Sequence, residues 1–368
     1  MKKNILFIVD HLKGGGSERM ALELAEALSK THNVSMALMN SDNINMTIPP
    51  QINMYHLNIH NKFMSSGLWR RNNKTLKQHE IDNLNTIVEH EKPDLIILSH
   101  WYAMHLLPFL KGNVWVWVHS DIYRPTKKKT SNLFRWYKET RNHYFSTKNF
   151  PKILNGKNII VVNQDFSKKY SPYIPDANIK VIHNAVDFKK FKIENSDLNT
   201  KKWDCIFLGR LSKEKQADYA IRAFVESKLK GRMAIVGDGP LMQELINLAE
   251  SLNVRDRIDF IGWVADVSEY IMQSHVLILS SKYEGFGLVI SESLCLKTPV
   301  VAFNCSDGIY FQLNSGELKR GLVEPQNLSL LTETLKDIYD HPYVIQESDL
   351  EKLSIEKMVV EFEKLIPN

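Results

Sequence analysis

Residues 275–303 read HVLILSSKYEGFGLVISESLCLKTPVVAF. HVLILS is a short apolar run of strand length, LVISESLCL carries a helical pattern, and TPVVAF is apolar and strand-like again. A strand, a helix and a second strand in fewer than about 30 residues make a parallel crossover unit. The same rhythm extends outward in both directions. WDCIFLG, RMAIVG and RIDFIG precede the stretch, separated by ADYAIRAFVESKL, LMQELINLAESL and VSEYIMQS. Nearer the N-terminus stand NILFIV, NVSMALM, DLIILS, VWVWVH and NIIVVN, with SERMALELAEALSK after the first. Strands alternating with helices predict an α/β fold of parallel sheets.

A chain of 368 residues with 43% hydrophobic content exceeds the usual size of one core and predicts two domains. The boundary is expected near VIHNAVDFKKF, residues 181–191, where a strand gives way to the polar stretch 189–202. This divides the chain into 1–187 and 188–350, both Rossmann-like, and leaves 351–368 as a C-terminal helix packing back on the first domain.

Cys205, Cys295 and Cys305 have neither an even count nor metal-ligand spacing, which points to a reducing compartment, buried packing and no disulfide framework. MKKNILFIVD reads as a first strand rather than a leader. No apolar run approaches the roughly 18 to 20 residues that span a bilayer. The net charge of +5 hides a split: residues 1–187 hold 25 Lys/Arg against 15 Asp/Glu, and residues 188–368 hold 22 against 27. Positive charge is densest over residues 124–152, where nine basic residues meet only Glu139 and are interleaved with Phe134, Trp136, Tyr137, Tyr144, Phe145 and Phe150. A solvated helix face and a surface lying on anionic lipid both fit this composition. No nucleic-acid motif accompanies the charge.

Ligands of open parallel sheets bind at the carboxyl ends of the strands, so the loops to read are HLKGGGSE, WVHSDIY, GRLSKEK, VGDGP and YEGFGL. HLKGGGSER fails as a dinucleotide fingerprint, because Arg19 stands where the third glycine is needed. Gly15 and Gly16 permit close backbone approach, and Ser17 is expected to cap a helix beginning at Glu18. A plain turn fits as well as a ligand loop. In GRLSKEK, Arg210 and Lys215 leave the end of a strand together, suited to neutralising a diphosphate by a planar fork and a point charge; a merely solvated basic loop is the alternative.

Glu284 and Glu292 stand eight residues apart around a glycine-rich turn. Were a helix to carry that spacing, it would be roughly 12 Å of axial rise, beyond the about 5 to 5.5 Å of a retaining glycosidase pair or the about 6.5 to 9.5 Å of an inverting pair. The two suit opposite ends of an extended ligand, with the amides of Gly287, Leu288 and Val289 offered to a phosphate between them. Surface glutamates at an ordinary helix start are the bland alternative for either residue alone.

The set GGGSE, VIHNAVD, GRLSKEK, VGDGPLMQEL and E284-x7-E292 followed by KTPVVAF resembles the retaining GT-B glycosyltransferases of family 4, of the type that builds bacterial surface polysaccharide and lipopolysaccharide. The resemblance implies two facing Rossmann-like domains, a nucleotide-sugar held mainly by the second, no obligatory metal or cofactor, and transfer with retention. Carried onto this chain, it gives catalytic roles to His119 and Glu284, diphosphate contacts to Arg210 and Lys215, and donor contacts to Gly15, Gly16, Gly285, Phe286, Gly287, Leu288 and Val289. Glu292 takes the ribose. The loop NCSDGIYFQL departs from the family pattern, with Tyr310 and Phe311 in the expected acidic neighbourhood, so donor-sugar selectivity is not carried over.

The expected activity is therefore transfer of a hexose or N-acetylhexosamine from a UDP-sugar to a lipid-linked or surface-polysaccharide glycan. The expected setting is the cytoplasm, peripheral on the inner face of the membrane through residues 124–152, with no nucleic-acid partner. A nucleotide-sugar epimerase of the same architecture and a basic membrane- or RNA-binding module without catalysis are the rivals.

Overall fold

A computed structural model describes residues 1–42, 44–59, 75–99, 102–121, 133–191 and 200–367. The chain divides into two compact units, Met1–Asn184 with Glu356–Asn368, and Ala185–Ile355.

In unit 1, strands β1 (Asn4–Val9), β2 (Asn33–Leu38), β3 (Asn53–His56), β4 (Leu95–Ser99), β5 (Val114–Val118), β6 (Asn158–Val161) and β7 (Asn178–Val181) form one sheet in the order β3-β2-β1-β4-β5-β6-β7. Every pairing is parallel. Its helices are α1 (Gly16–Leu28), α2 (Gln78–Glu91), α3 (Leu133–Leu154) and α4 (Gln164–Tyr170). Apolar runs such as VWVWV in β5 are buried along their whole length, as central parallel strands require when covered on both faces. The apolar runs miss β3 (NMYH), and β7 (NIKV) is expected only as the strand that ends at the domain boundary; both lie at the edges of the sheet and carry polar residues. An edge strand pairs on one side only and needs no continuous apolar run.

Unit 2 has strands β8 (Trp203–Leu208), β9 (Met233–Val236), β10 (Ile258–Gly262), β11 (Ser274–Leu279), β12 (Val300–Phe303) and β13 (Leu322–Val323), ordered β10-β9-β8-β11-β12-β13. All are parallel. Between and after them come α5 (Ala217–Glu226), α6 (Met242–Ser251), α7 (Ser268–Met272), α8 (Leu288–Cys295), α9 (Asp307–Leu313), α10 (Leu328–Asp340) and α11 (Glu347–Leu350). The two-residue β13 is too short for any periodic signal.

Both sheets therefore reverse their strand order beside the first strand, between β1 and β4 in one and between β8 and β11 in the other. Such switch points open a crevice at the carboxyl ends of the strands. In unit 2 the two ends of the segment are joined: Val186 N–H donates to Leu353 O at 2.9 Å, and Ile355 N–H donates to Val186 O at 3.0 Å. The last helix, α12 (Ile355–Glu363), belongs almost wholly to unit 1. There Phe362 is fully buried with its ring 5.0 Å from that of Trp117, and Asn113 Nδ2 donates to Leu365 O at 2.8 Å.

Candidate active site

The loops that follow β8 and β11 meet at the switch point of unit 2, and hydrogen bonds stitch them together. Lys282 N–H donates to Glu214 O at 2.8 Å, and the Ser280 hydroxyl donates to Gln216 O at 2.8 Å. Lys215 Nζ donates to Glu284 Oε1 at 2.5 Å, and the Ser281 hydroxyl donates to the same oxygen at 2.8 Å. Behind the cationic loop, Leu211 N–H donates to Asp238 O at 2.9 Å and Leu241 N–H to Leu211 O at 3.1 Å. VGDGP thus braces GRLSKEK. The two cations differ. Lys215 is already paired with a buried carboxylate, whereas Arg210 is exposed and has no ion pair among the described residues.

The second loop leads into α8. Gly287 caps this helix at φ 80°, a left-handed conformation in which a Cβ is strained. The amides of Leu288 and Val289 have no acceptor among the described residues, and donors at a helix N-terminus suit an anion. The helix starts at Leu288, so Glu284 lies in the turn before it and Glu292 in its second turn. Their separation is accordingly not a single run of helical rise, which corrects the spacing expected from sequence. Neither is a surface glutamate: Glu284 is 7% and Glu292 3% exposed.

Two residues that sequence reasoning missed support this turn. Gln312 is fully buried on α9; its Nε2 donates to Phe286 O at 2.5 Å and Gly308 O at 3.1 Å, and its Oε1 accepts from the Ser291 hydroxyl at 2.6 Å. A Cβ at Gly308 would come within 2.5 Å of Gly285 O and 2.9 Å of Phe286 Cα, so only glycine lets α9 approach the loop so closely. Gly308 stands in NCSDGIYFQL, the stretch that departs from the family pattern and whose later part, Asp307–Leu313, is the helix α9 rather than loop, and a glycine in the first turn of a helix is the one signal the sequence offers. Nearby, burial foremost and then the charge of Glu284 push the Cys305 thiol up to about 12. Burial followed by Glu292 does the same to Cys295. All three cysteines are free thiols, and only Cys205 is fully buried.

In unit 1, β1 runs into HLKGGGSE. The helix α1 begins at Gly16, two residues earlier than expected, with extended Gly15 as its cap. Ser17 is not the capping residue; the Glu18 carboxylate reaches back and accepts the Gly15 amide, as a carboxylate three residues into a helix can. Glu18 also holds His11, whose Nδ1 lies 2.6 Å from its Oε1. That carboxylate raises the His11 pKa, against the opposing effect of burial. Beside them the buried Asp10 accepts from Ala103 N–H at 2.8 Å and Tyr102 N–H at 3.0 Å, tying the end of β1 to the segment after β4.

His119 follows β5 directly. Its Nε2 is 3.0 Å from the fully buried Ser99 hydroxyl at the end of β4, and its ring lies 4.2 Å from that of Trp117. Two residues on, Asp121 accepts from Lys169 Nζ at 2.5 Å. Ser99, Asp121 and Lys169 carried no signal in the sequence, because each is identified only by a partner distant along the chain.

Of the basic segment 124–152, residues 124–132, with Lys127, Lys128 and Lys129, lie outside the described residues, as do the side chains of Tyr144 and Phe145. At the start of α3, Leu133 and Phe134 are 82% and 80% exposed, and Trp136 and Tyr137 are exposed as well. Phe150 is a core residue instead, its ring 5.1 Å from that of Tyr170, and is not part of an outward aromatic face. Among the described residues no helix is long and apolar enough to cross a membrane, and no three His, Cys, Asp or Glu side chains gather as a metal site.

Residues 14–190 match the family described as Glycosyltransferase Family 4, and residues 188–354 match Glycosyl transferases group 1. An uncharacterized glycosyltransferase of Haemophilus influenzae is 25% identical over the whole of both chains. N-acetylgalactosamine-N,N'-diacetylbacillosaminyl-diphospho-undecaprenol 4-alpha-N-acetylgalactosaminyltransferase of Campylobacter jejuni is 26% identical over 92% of this chain and 91% of its own. An Escherichia coli UDP-Gal:alpha-D-GlcNAc-diphosphoundecaprenol alpha-1,3-galactosyltransferase is 27% identical over 54% of this chain and 55% of its own. Among solved structures, Anabaena HepE in complex with UDP superimposes with a TM-score of 0.72 at 16% identity, covering 99% of each chain.

Proposed function

The chain belongs to the GT-B glycosyltransferases of family 4, and on that premise we propose that it is a retaining enzyme that moves a hexose or N-acetylhexosamine from a UDP-sugar to a lipid-linked or surface-polysaccharide glycan. The observation that carries this reading is the cross-linked pair of loops at the β8/β11 switch point. It joins two cations, a buried carboxylate and the open amides of a helix start in one rigid framework. Arg210, Lys215 and the amides of Gly287, Leu288 and Val289 take the diphosphate; Gly285 and Phe286 shape the turn against the donor. Glu284 accepts from sugar hydroxyls and Glu292 from the ribose. His119, Gly15 and Gly16 keep the roles that the family resemblance gives them.

In the proposed reaction an acceptor hydroxyl attacks the anomeric carbon on the side from which the diphosphate departs. The bond from that carbon to the phosphate oxygen breaks, the new glycosidic bond forms, and the diphosphate takes the hydroxyl proton. Fixed charge and amide dipoles stabilise the departing diphosphate without reorganising. No metal or cofactor is required in this scheme. The UDP donor and the lipid-linked acceptor draw support from two relatives whose names specify diphospho-undecaprenol glycans, one with UDP-Gal as donor, and from the UDP bound to HepE.

We place the enzyme in the cytoplasm, peripheral on the inner face of the membrane. The support is the charge density of residues 124–152 and the exposed Leu133, Phe134, Trp136 and Tyr137, which suit an anionic headgroup layer. Binding to phosphatidylglycerol vesicles that vanishes at high salt is expected; indifference to such vesicles at low salt refutes the placement.

Incubating the protein with a panel of UDP-sugars and undecaprenyl-diphosphate-linked glycans, with EDTA present, tests the reaction. Product with the donor's anomeric configuration, read by NMR, is the expected result. An epimerised UDP-sugar, an inverted linkage or a need for added metal would each overturn the corresponding part.

A further inference from the structure

The oxygens of Glu284 are not equivalent. Oε1 accepts from Ser281 at 2.8 Å and from Lys215 at 2.5 Å, while Oε2 accepts from no described residue. Ser281 is 1% exposed, so its hydroxyl has little solvent to turn to. The backbones that carry the three residues are themselves fixed by the Lys282 to Glu214 and Ser280 to Gln216 hydrogen bonds. The carboxylate is thus held by one edge.

We infer that Ser281 is a positioning residue for Glu284, holding Oε1 so that Oε2 is presented to the donor sugar. This rests on the proposed role of Glu284. The need for Ser281 follows from what Lys215 does in the same scheme. An ammonium shared with a diphosphate directs less of its field and fewer of its three N–H donors at Glu284. Ser281 is uncharged and gains nothing from the phosphate, so it stays on Oε1 when the donor is bound. It therefore matters most in the donor complex and little when UDP binds alone.

The test is a double-mutant cycle between Ser281→Ala and Glu284→Gln, read by kcat/KM for the preferred UDP-sugar and by calorimetric affinity for UDP. A hydrogen bond to a charged group predicts a loss in kcat/KM of roughly tenfold or more for Ser281→Ala, with UDP affinity within about twofold of wild type, a difference too small to signal a lost contact. In the Glu284→Gln background, Ser281→Ala should cost little more, because residues acting as one unit are not additive. Ser281→Thr, which keeps the hydroxyl, should recover much of the loss. Additive effects, or a parallel loss of UDP affinity in Ser281→Ala, would make Ser281 a mere loop brace and overturn the inference. A Glu284→Gln enzyme with unchanged kcat/KM would remove the sugar-contact role of Glu284 and the inference with it, whereas a damaged Glu284→Gln beside an unaffected Ser281→Ala removes only the inference.

Discussion

Lys215 Nζ and Glu284 Oε1 are 2.5 Å apart, so the ammonium assigned to the diphosphate is neutralised by its own unit before any ligand arrives. Glu284 therefore competes with UDP for Lys215. Glu284→Gln should bind UDP a few-fold more tightly, since a partly exposed ion pair is worth roughly 1 kcal/mol or less, while its turnover of UDP-sugar falls. Calorimetry on the two proteins checks this; weaker UDP binding by the variant would show that Glu284 does not compete.

Arg210 has no such competitor among the described residues. Arg210→Ala should lose the full value of a charge-assisted contact to phosphate, about 1.5 to 3 kcal/mol in UDP affinity. Lys215→Ala should lose less in binding, because the wild-type lysine divides its charge between Glu284 and the diphosphate. It should cost more in folding stability, since it strips a buried carboxylate of its counter-charge. Equal losses of UDP affinity in the two variants would contradict the asymmetry.

Gly308→Ala places a methyl 2.5 Å from Gly285 O. Either α9 or the turn before α8 must move, at a cost of about 1 to 3 kcal/mol typical of overpacking. Thermal denaturation should show a lowered midpoint, and UDP affinity should fall because the displaced turn carries the amides. A variant with wild-type values for both would refute the proposed coupling between α9 and the anion-facing turn.

The raised pKa of His11 gives unit 1 a pH dependence with a definite sign. Its chief cause is the Glu18 carboxylate, so the folded state holds the proton more tightly than the unfolded chain. The stabilisation is fully present below the ordinary histidine value of about 6.5 and is lost as pH rises through the raised folded value. His11→Gln should therefore lower the thermal midpoint most at pH 6, with the gap from wild type closing toward pH 8.5. A gap that widens with pH would mean the imidazole is held neutral.

The central strands were legible because each is a continuous apolar run, and the loops worth reading followed from the alternation alone. Edge strand β3 has no such run, and β7 is legible only by its end at VIHNAVD. The start of α1 is set by Glu18, three residues after Gly15, whose carboxylate accepts the Gly15 amide in a one-sided cap, since glycine has no side chain to return it. Arg210, Lys215, Glu284 and Glu292 stand out in the sequence by residue type and loop position. What could not be read is who holds whom. Ser281 donating to Glu284, Ser99 meeting His119, and Gln312 spanning Phe286, Gly308 and Ser291 are pairings made by the packed fold, and no local pattern encodes them.

Unit 2 is a single uninterrupted stretch with its ends hydrogen-bonded to each other, whereas unit 1 is assembled from two pieces that flank it. During synthesis the strands of unit 1 are made first, yet Trp117 has no Phe362 to pack against until residue 362 has been added. Residues 185–355 close on themselves without the rest of α12. The part translated first is thus the part completed last. A chain cut after residue 355 would keep the hydrogen-bonded ends of unit 2 and lose the Phe362 ring that packs against Trp117 in unit 1.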